Sequence, residues 1–361
     1  MQSDKIKILI DIGHPAHVHY FKNFIKIMES NGCQFLITSR NKEIEHYLLK
    51  KYNIPFFDRG RGRNDLVGKA IYYFKAIYLI YLKAKKFTPD IIMSFGSPYA
   101  AIVSNLIGKA HIVFNDTEHA KLSHFLTDPF SKWILTPSCY NKNIGKKQVR
   151  FNGYMELCYL HPNYFTPDPS IFDTLGLRKD EKYIILRFVS WGASHDIGHR
   201  GLSLEMKKKA VKEFSNYAKV FISSEGELPE DLKPYQIKIP PERMHDVLAF
   251  ASLYFGESPT MTTESALLGT PAMCVSSWAC DCGNFKDLEK YNAIYCFKPE
   301  NEEQAYRVAV GLIKDNNSKQ IWLKKRQNIL RDKIDVTAFM VWFVENYPES
   351  YKAMRKGKGP Y

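Results

Sequence analysis

The chain has 361 residues, 45% of them hydrophobic, which is enough apolar material for two domain cores. Lys and Arg number 51 against 38 Asp and Glu, a formal net charge of +13 at pH 7. That balance favours an anionic partner: nucleic acid, an anionic membrane surface or a phosphorylated small molecule. The ordinary charged fraction argues against long disorder.

The seven cysteines are odd in number and show no framework spacing, so we expect reduced thiols in a cytoplasmic protein. Cys280-Asp281-Cys282 is a single C-x-C without a second matching pair, and no metal site is expected there. The chain enters the strand-like run Ile8-Leu9-Ile10 without a signal peptide. No apolar run reaches the roughly 20 residues needed to span a bilayer.

Short apolar runs alternate with helical periodicity in the first half of the chain. The predicted strands cover 6–10, 34–38, 54–57, 91–94 and 111–114, and the predicted helices cover 20–30, 42–51, 65–86 and 99–107. This alternation predicts βαβ units and a parallel sheet.

The alternation breaks at 151–169, a proline-rich stretch that we interpret as a linker. It then resumes with predicted strands at 182–189, 219–223, 253–256 and 272–276 and predicted helices at 203–217, 242–251, 262–268, 302–316, 319–333 and 337–346. We therefore expect an N-terminal domain at 1–155, a second domain at 156–335, and a C-terminal helix and tail at 336–361 that could return to the N-terminal domain. Two such doubly wound domains form a cleft, with ligands at the carboxyl ends of the strands.

The segment after strand 253–256 is the strongest candidate site. It carries Ser258, Thr260, Thr262, Thr263 and Glu264 at the start of a predicted helix. Free amides and hydroxyls at a helix start suit a diphosphate, and the glutamate could accept hydrogen bonds from ribose hydroxyls. The same residue types also suit an ordinary helix N-terminus, and spacing alone does not separate the two readings.

A second candidate is the histidine-rich loop after the first strand, which carries Gly13, His14, His17 and His19. A neutral imidazole there could deprotonate an acceptor hydroxyl. Zinc ligation is an alternative, although the spacing is not that of common zinc motifs. The structural reading is a set of polar loop groups with a helix cap.

Further polar residues follow other predicted strands. In the first half these are Gly96, Ser97, Asp116, Glu118 and His119. In the second half they are Ser194, His195, His199 and Arg200, and Arg187 lies inside the preceding strand, 182–189. The acids and His119 supply acid–base groups, and the second set could bind phosphate oxygens. Each is also a common residue for a helix start or a loop.

The predicted helix 65–86 mixes lysines with aromatic residues and has no acid after its first residue. That composition suits a face lying on an anionic membrane, or a helix buried on one side and basic on the other. It would also suit single-stranded nucleic acid, but no nucleic-acid motif accompanies it, so no nucleic-acid partner is expected.

Taken together, these motifs resemble a widespread family of GT-B-like proteins of largely unknown function. The resemblance lies in the opening strand with its Pro-x-His-Val-His loop, and in the segments 95–97, 115–119, 262–271 and 335–337. That family is similar to the non-hydrolysing UDP-N-acetylglucosamine 2-epimerases and to the N-acetylglucosaminyltransferase of peptidoglycan synthesis. The resemblance implies a GT-B fold of two Rossmann-like domains.

By this resemblance Glu264 would bind the donor ribose, and Ser258, Thr262 and Thr263 would contact the diphosphate. One of the first-loop histidines would correspond to the transferase base, and His199-Arg200 loosely resembles an epimerase pair. The epimerase glycine pair is absent, because Pro259-Thr260-Met261 stands in its place.

The sequence thus favours a glycosyltransferase that moves a sugar from an NDP-sugar, with UDP expected, to a glycan or lipid-linked acceptor in surface polysaccharide assembly. No cofactor or metal is expected, and the protein would work in the cytoplasm or at the inner face of the membrane. The alternatives are an NDP-sugar 2-epimerase and a non-catalytic binding or scaffold protein.

Overall fold

A computed structural model describes residues 6–41, 44–62, 65–189 and 201–360. The chain forms two compact units, which we call the N-terminal unit (1–164 with 334–361) and the C-terminal unit (165–333). The units divide at 164/165 and 333/334, whereas the sequence pattern places the divisions at 155/156 and 335/336. Each unit is an α/β layer structure built around one parallel sheet.

The elements up to residue 164 are β1 (Lys7–Ile12), α1 (Pro15–Ser30), β2 (Gln34–Ser39), α2 (Glu45–Lys51), β3 (Phe57–Asp58), α3 (Leu66–Phe87), β4 (Ile91–Phe95), α4 (Pro98–Leu106), β5 (Ala110–Phe114), α5 (Lys121–Thr127), β6 (Trp133–Pro137), β7 (Gln148–Phe151) and α6 (Leu157–Leu160). Their strands form one sheet in the order β3-β2-β1-β4-β5-β6-β7, and every pairing is parallel. Apolar runs such as Ile8 to Ile10 are fully buried, as expected for a parallel sheet covered on both faces.

The C-terminal unit contains α7 (Ile171–Thr174), β8 (Tyr183–Phe188), α8 (Leu204–Phe214), β9 (Lys219–Ser224), α9 (Met244–Phe250), β10 (Leu253–Gly256), α10 (Pro259–Leu267), β11 (Ala272–Val275), α11 (Gly283–Lys290), β12 (Ile294–Phe297), α12 (Glu302–Lys314) and α13 (Ser318–Asp332). Its sheet has the order β12-β11-β10-β8-β9, again parallel throughout. The last helices, α14 (Val336–Glu345) and α15 (Glu349–Arg355), belong to the N-terminal unit.

Several short elements escape sequence prediction, among them α5, β6, β7, α11 and β12. The strands β6, β7 and β12 have only four or five residues, which are too few to show a period. The predicted strand 54–57 is also displaced, because only Phe57 and Asp58 pair with β2.

The expectation that all seven cysteines are reduced is wrong. Cys280 and Cys296 form a disulfide with a Cα–Cα distance of 5.5 Å, and the other five cysteines are not part of it. Cys280 lies in the turn after β11 and Cys296 lies in β12, so the pairing of these two strands brings the sulfurs together. A contact made through a sheet leaves no spacing motif in the sequence.

Among the helices in the described ranges, none has the length and apolar character needed to cross a membrane.

Candidate functional site

In each sheet, successive strands are first added on one side of the first strand and later on its other side. The position between the two series is the topological switch point. In the N-terminal unit this switch point lies between the adjacent strands β1 and β4; in the C-terminal unit it lies between β8 and β10. Open α/β sheets bind ligands outside the carboxyl ends of the strands at such positions. The loops chosen from the sequence, after β1, β4 and β10, therefore lie at the two switch points.

The helices that leave these three strands begin alike, with a capping residue followed by proline. His14, Ser97 and Ser258 each accept a hydrogen bond from a backbone amide of the helix that follows, and each precedes a proline. Proline suits the first helical position because its φ is preset and its missing N–H would have no partner there. The helices predicted to begin at residues 20 and 262 therefore begin at 15 and 259.

This earlier start corrects the predicted three-histidine loop. Only His14 caps the helix; His17 and His19 lie within α1, two positions apart, so their side chains leave different sides of it. His19 is 8% exposed and its ring lies 5.2 Å from that of Tyr159, between centroids. Its contacts are those of a packed core residue.

His17 faces the end of β1. Its Nδ1 accepts a hydrogen bond from the Gly13 amide at 3.3 Å, which assigns the proton of the neutral ring to Nε2. Burial, together with the neighbouring His14, lowers the pKa of His17 well below its ordinary value. A neutral ring with this tautomer presents a hydrogen-bond donor at Nε2 and not a base.

Gly96 and Ser97 follow β4 beside this loop. Gly96 has φ +61°, a backbone conformation that favours glycine, and its carbonyl accepts the Ser123 hydroxyl at 3.1 Å. The Ser97 hydroxyl donates to buried Asp11 at 2.5 Å and also caps α4. Ser97 thus fixes the loop, and its hydroxyl is already engaged.

Asp116 and Glu118 follow β5, the next strand of the sheet. Burial raises the pKa of Asp116 to about 6, with a further contribution from the charge of Glu118, while the Thr117 hydroxyl opposes the shift at 2.9 Å. A carboxyl group that titrates near 6 can exchange a proton near neutral pH. Glu118 is 7% exposed and accepts from the Asn141 amide at 3.1 Å, so it holds the loop after β6.

His124 supports the loop that carries Asp116, and sequence reasoning missed it. Its Nδ1 lies 3.0 Å from Asp128 and its Nε2 lies 3.0 Å from the Thr117 carbonyl. The hydrogen bond to Asp128 raises the pKa of His124. The spacing of His124 and Asp128, four residues apart on one helical turn, was the signal available in the sequence. His119, between these groups, is half-buried and its carbonyl accepts from the Lys121 amide.

In the C-terminal unit, the hydroxyls of α10 have different surroundings. The Ser258 hydroxyl caps the helix, and the Thr262 hydroxyl donates to the Ser258 carbonyl at 2.8 Å. The Thr263 hydroxyl is fully buried and has no hydrogen-bond partner among the described residues. Thr260, in the first turn, is half-buried.

Glu264 lies in the second turn of α10 and is 6% exposed. Its Oε1 accepts a hydrogen bond from Nε2 of His245, on α9, at 3.0 Å. This contact orients the carboxylate at the edge of the β10 switch point. His245 was missed because an isolated histidine on a predicted helix gives no sequence signal.

Arg187 and Glu257 lie at the ends of the two switch-point strands. Arg187 binds the Ser223 hydroxyl at 2.8 Å and Glu225 at 2.5 Å, both at the end of β9. Glu257 is fully buried and accepts from the amides of Val189 and Leu202 at 2.8 and 2.7 Å. Glu257 therefore fixes the backbone on both sides of 190–200.

Four predicted ligand residues, Ser194, His195, His199 and Arg200, lie outside the described residues. Within the described part of the chain, no group of three or more His, Cys, Asp or Glu side chains could hold a metal ion, which gives the zinc alternative no support.

Comparison with solved structures identifies the fold as GT-B. A Listeria monocytogenes protein assigned as a UDP-N-acetylglucosamine 2-epimerase is 14% identical, with a TM-score of 0.70 over 99% of each chain. MurG of Acinetobacter baumannii is 16% identical, with a TM-score of 0.58 over 94% of this chain and 99% of that one. The spinosyn rhamnosyltransferase SpnG, solved with thymidine diphosphate, is 12% identical, with a TM-score of 0.59 over 94% of this chain and all of that one.

Glycosyltransferases and epimerases thus share this fold. Residues 6–343 match the model of a single family, which is described as a protein of unknown function, DUF354. The match covers nearly the whole chain and both units, and the chain belongs to this family.

Proposed function

We propose that the protein is a glycosyltransferase that binds an NDP-sugar, with UDP as the nucleotide, in its C-terminal unit. The observation that carries the proposal is the Glu264–His245 pair at the β10 switch point. A carboxylate held by one oxygen through an imidazole keeps a fixed orientation, as ribose recognition requires. Solved relatives of this fold include a rhamnosyltransferase with thymidine diphosphate, which supports a nucleotide ligand.

The N-terminal unit would bind the acceptor, a glycan or a lipid-linked sugar, at its β1/β4 switch point. In the transfer, the acceptor oxygen bonds to the anomeric carbon, the bond from that carbon to the diphosphate breaks, and the NDP departs. We assign the acceptor proton to Asp116, whose pKa of about 6 suits a base. His17, with its proton on Nε2, would donate a hydrogen bond to the acceptor.

Nucleotide binding tests the role of Glu264. We expect UDP to raise the melting temperature of the wild type, and Glu264→Gln to weaken UDP binding about tenfold, the loss expected for one hydrogen bond to a charged group. Asp287→Asn is the matched control, because Asp287 is another buried carboxylate of this unit, paired with Lys333 at 2.6 Å. Equal UDP affinity in the wild type and Glu264→Gln would exclude the ribose role.

Incubation with UDP-N-acetylglucosamine in the absence of an acceptor separates the transferase from the epimerase. The transferase should leave the sugar configuration unchanged, as followed by NMR of the anomeric and C2 protons. Accumulation of the 2-epimer would replace the transferase with the epimerase. Failure of every nucleotide and nucleotide sugar to bind would favour the non-catalytic binding protein.

We also propose that the outer face of α3 contacts an anionic membrane, where a lipid-linked acceptor would be found. Five large apolar side chains recur every three or four residues along this helix and are exposed: Val67 (69%), Ile71 (61%), Phe74 (70%), Tyr78 (60%) and Leu82 (45%). This spacing puts them on one face, opposite buried residues such as Ala76 and Ile80. An exposed apolar stripe of this extent indicates an interaction surface.

The charges around this α3 face favour a bilayer over a second copy of the chain. Five exposed lysines lie on the helix, and it contains no acid: Lys69, Lys75, Lys83, Lys85 and Lys86. Two copies packed through this face would bring like charges together, whereas anionic lipid headgroups would neutralise them. The overall charge of +13 acts in the same direction.

A further inference from the structure

Two arginines meet at one tyrosine near the carboxyl ends of β2 and β3. Arg40 directly follows β2 and Arg59 directly follows β3, and the Arg59 amide donates to the Ser39 carbonyl at 2.9 Å. The Arg40 guanidinium carbon lies 5.1 Å from the centre of the Tyr72 ring. The Arg59 guanidinium donates to the hydroxyl of the same Tyr72 at 3.3 Å.

This arginine pair carries more positive charge than the carboxylates of the described residues neutralise. Arg59 lies 3.0 Å from Asp11 and also binds the Ile12 carbonyl at 3.1 Å. In the described ranges, Arg40 has no carboxylate within ion-pair distance and no hydrogen bond from its side chain. Within the described part of the chain, the single carboxylate of Asp11 is therefore the counterion for a pair of guanidinium groups.

Both arginines also keep a buried donor without an acceptor. The Nε atoms of Arg40 and Arg59 are buried, and neither has a hydrogen-bond partner among the described residues. Arg59 as a whole is only 1% exposed, so bulk solvent does not reach its Nε–H. Leaving a buried donor unsatisfied costs about 1–3 kcal/mol, so such donors usually mark a strained or ligand-binding position.

The arginine pair lies beside the N-terminal switch point. Arg59 contacts Asp11 and Ile12 at the end of β1, and its guanidinium lies over the Tyr99 ring, 4.9 Å from the centre, on the first turn of α4. Burial raises the pKa of Tyr72 to about 12 and also raises that of Tyr99, so both phenols stay protonated and can donate hydrogen bonds. Among the described residues, the surroundings thus offer several donors and two guanidinium charges but one carboxylate, Asp11.

We propose that Arg40, Arg59 and Tyr72 bind a phosphoryl group of the molecule that docks on the N-terminal unit. Guanidinium groups recognise phosphoryl oxygens through paired N–H donors, and the free Nε–H groups of two arginines provide such donors. The phosphoryl group would also supply the second negative charge that this arginine pair lacks. Identifying the bound molecule as a phosphorylated glycosyl acceptor rests on the proposed transferase function, but the phosphoryl site itself does not.

Calorimetric titration with inorganic phosphate tests the site, with saturating UDP present to occupy any nucleotide site. We expect Arg40→Gln to weaken phosphate binding at least fivefold and Arg40→Lys to weaken it less, because lysine keeps the charge but loses the planar donors. Arg40 is chosen over Arg59 because no side-chain hydrogen bond within the described structure depends on it. Arg307→Gln, on the exposed surface of the C-terminal unit, is the control and should bind as the wild type does.

Gly62→Ala gives a second test that leaves the charge unchanged. A Cβ at Gly62 would come within 2.6 Å of an Arg40 guanidinium nitrogen, so the flexible side chain must move. The displaced guanidinium should bind phosphate more weakly, as in Arg40→Gln. Wild-type affinity in both Arg40→Gln and Gly62→Ala, or no phosphate binding by the wild type, would overturn the proposal.

Sedimentation with phosphatidylcholine vesicles that contain phosphatidic acid distinguishes a lipid phosphoryl group from a free one. Binding that is lost in Arg40→Gln would identify a lipid phosphoryl group as the ligand. Binding unchanged by Arg40→Gln, with phosphate binding still dependent on Arg40, would support a soluble phosphoryl ligand. Glu264→Gln tests nucleotide binding separately. The phosphoryl site and the proposed transferase function can therefore fail independently of each other.

Discussion

The two units use buried carboxylates differently at their switch points. In the N-terminal unit, Asp11 is bound by side chains: the hydroxyls of Thr38 and Ser97 and the guanidinium of Arg59. In the C-terminal unit, Glu257 accepts hydrogen bonds from the backbone amides of Val189 and Leu202 and forms an ion pair with Lys207 at 3.0 Å.

The comparison shows which acids are structural. In each unit the carboxylate that is buried and bound by several groups holds the loops in place. The carboxyl groups for which we propose chemical roles are Asp116, whose pKa is raised to about 6, and Glu264, which accepts a hydrogen bond from His245. Burial alone does not separate the two kinds of acid, because Glu264 is only 6% exposed.

The largest expected effect follows from breaking the side-chain network of the N-terminal unit. Asp11→Asn leaves the buried Arg59 charge without a counterion, which should lower the free energy of unfolding by about 3–5 kcal/mol. Urea denaturation measures this loss. In the double variant with Arg59→Met, much of the loss should return; if the two losses simply add, the pair is not coupled.

The free energy of unfolding of the same unit should depend on pH because of the buried His111. Its ring bridges the hydroxyls of Ser94 and Ser131 at 2.9 Å each, and burial lowers its pKa to about 3. Below about pH 6.5 the unfolded chain takes up a proton that the folded chain does not, so stability should fall by about 1.4 kcal/mol per pH unit towards pH 3. His111→Asn should flatten this part of the stability profile.

His124 is a control for the pH experiment because its pKa is shifted in the opposite direction from that of His111. Its pKa is raised by Asp128, so its contribution to stability is complete below about pH 6.5 and is lost as the pH rises through the folded pKa. His124→Asn should therefore remove stability at low pH more than at high pH. Identical profile changes in both variants would contradict the assigned protonation states.

In the C-terminal unit, Glu257→Gln should cost about 2–3 kcal/mol, since the two backbone amides bind different carboxylate oxygens and the glutamine NH2 group can accept from neither, while Lys207 loses its counterion. Hydrogen exchange should accelerate at Val189 and Leu202. Glu264→Gln, seven residues later, should leave those amides protected and change stability less. Equal acceleration in both variants would remove the distinction between the structural and the functional carboxylate.

Local pattern predicted much of this molecule. The strand Leu253–Gly256 has the bounds that its apolar run suggests, and the polar loops after β1, β4 and β10 were selected because ligands bind at strand ends. Helices α1 and α10 begin before the predicted residues because a proline occupies the first helical position of each. The Ser258-Pro259 and His14-Pro15 pairs show that this signal was present in the sequence.

The remaining features depend on sheet order, which the sequence does not encode locally. Arg59 reaches Asp11 because β1 and β3 pair with opposite sides of β2, and 47 residues separate Arg59 from the Ile12 carbonyl it binds. The His245–Glu264 contact likewise depends on how α9 and α10 pack. Such pairs become visible only when the elements are assembled.

The smallest expected effect on stability concerns the surfaces, where the units also differ. The exposed apolar residues of the C-terminal unit are scattered, as Leu204 and Ile321 are, whereas those of α3 are aligned. Phe74→Ser removes an exposed ring and should change the free energy of unfolding by less than about 0.5 kcal/mol. It should nevertheless weaken sedimentation with phosphatidylglycerol vesicles several-fold, because the buried apolar area drives interfacial binding. Leu204→Ser is the matched control, and an equal loss of vesicle binding in both variants would show that no particular face of the protein meets the membrane.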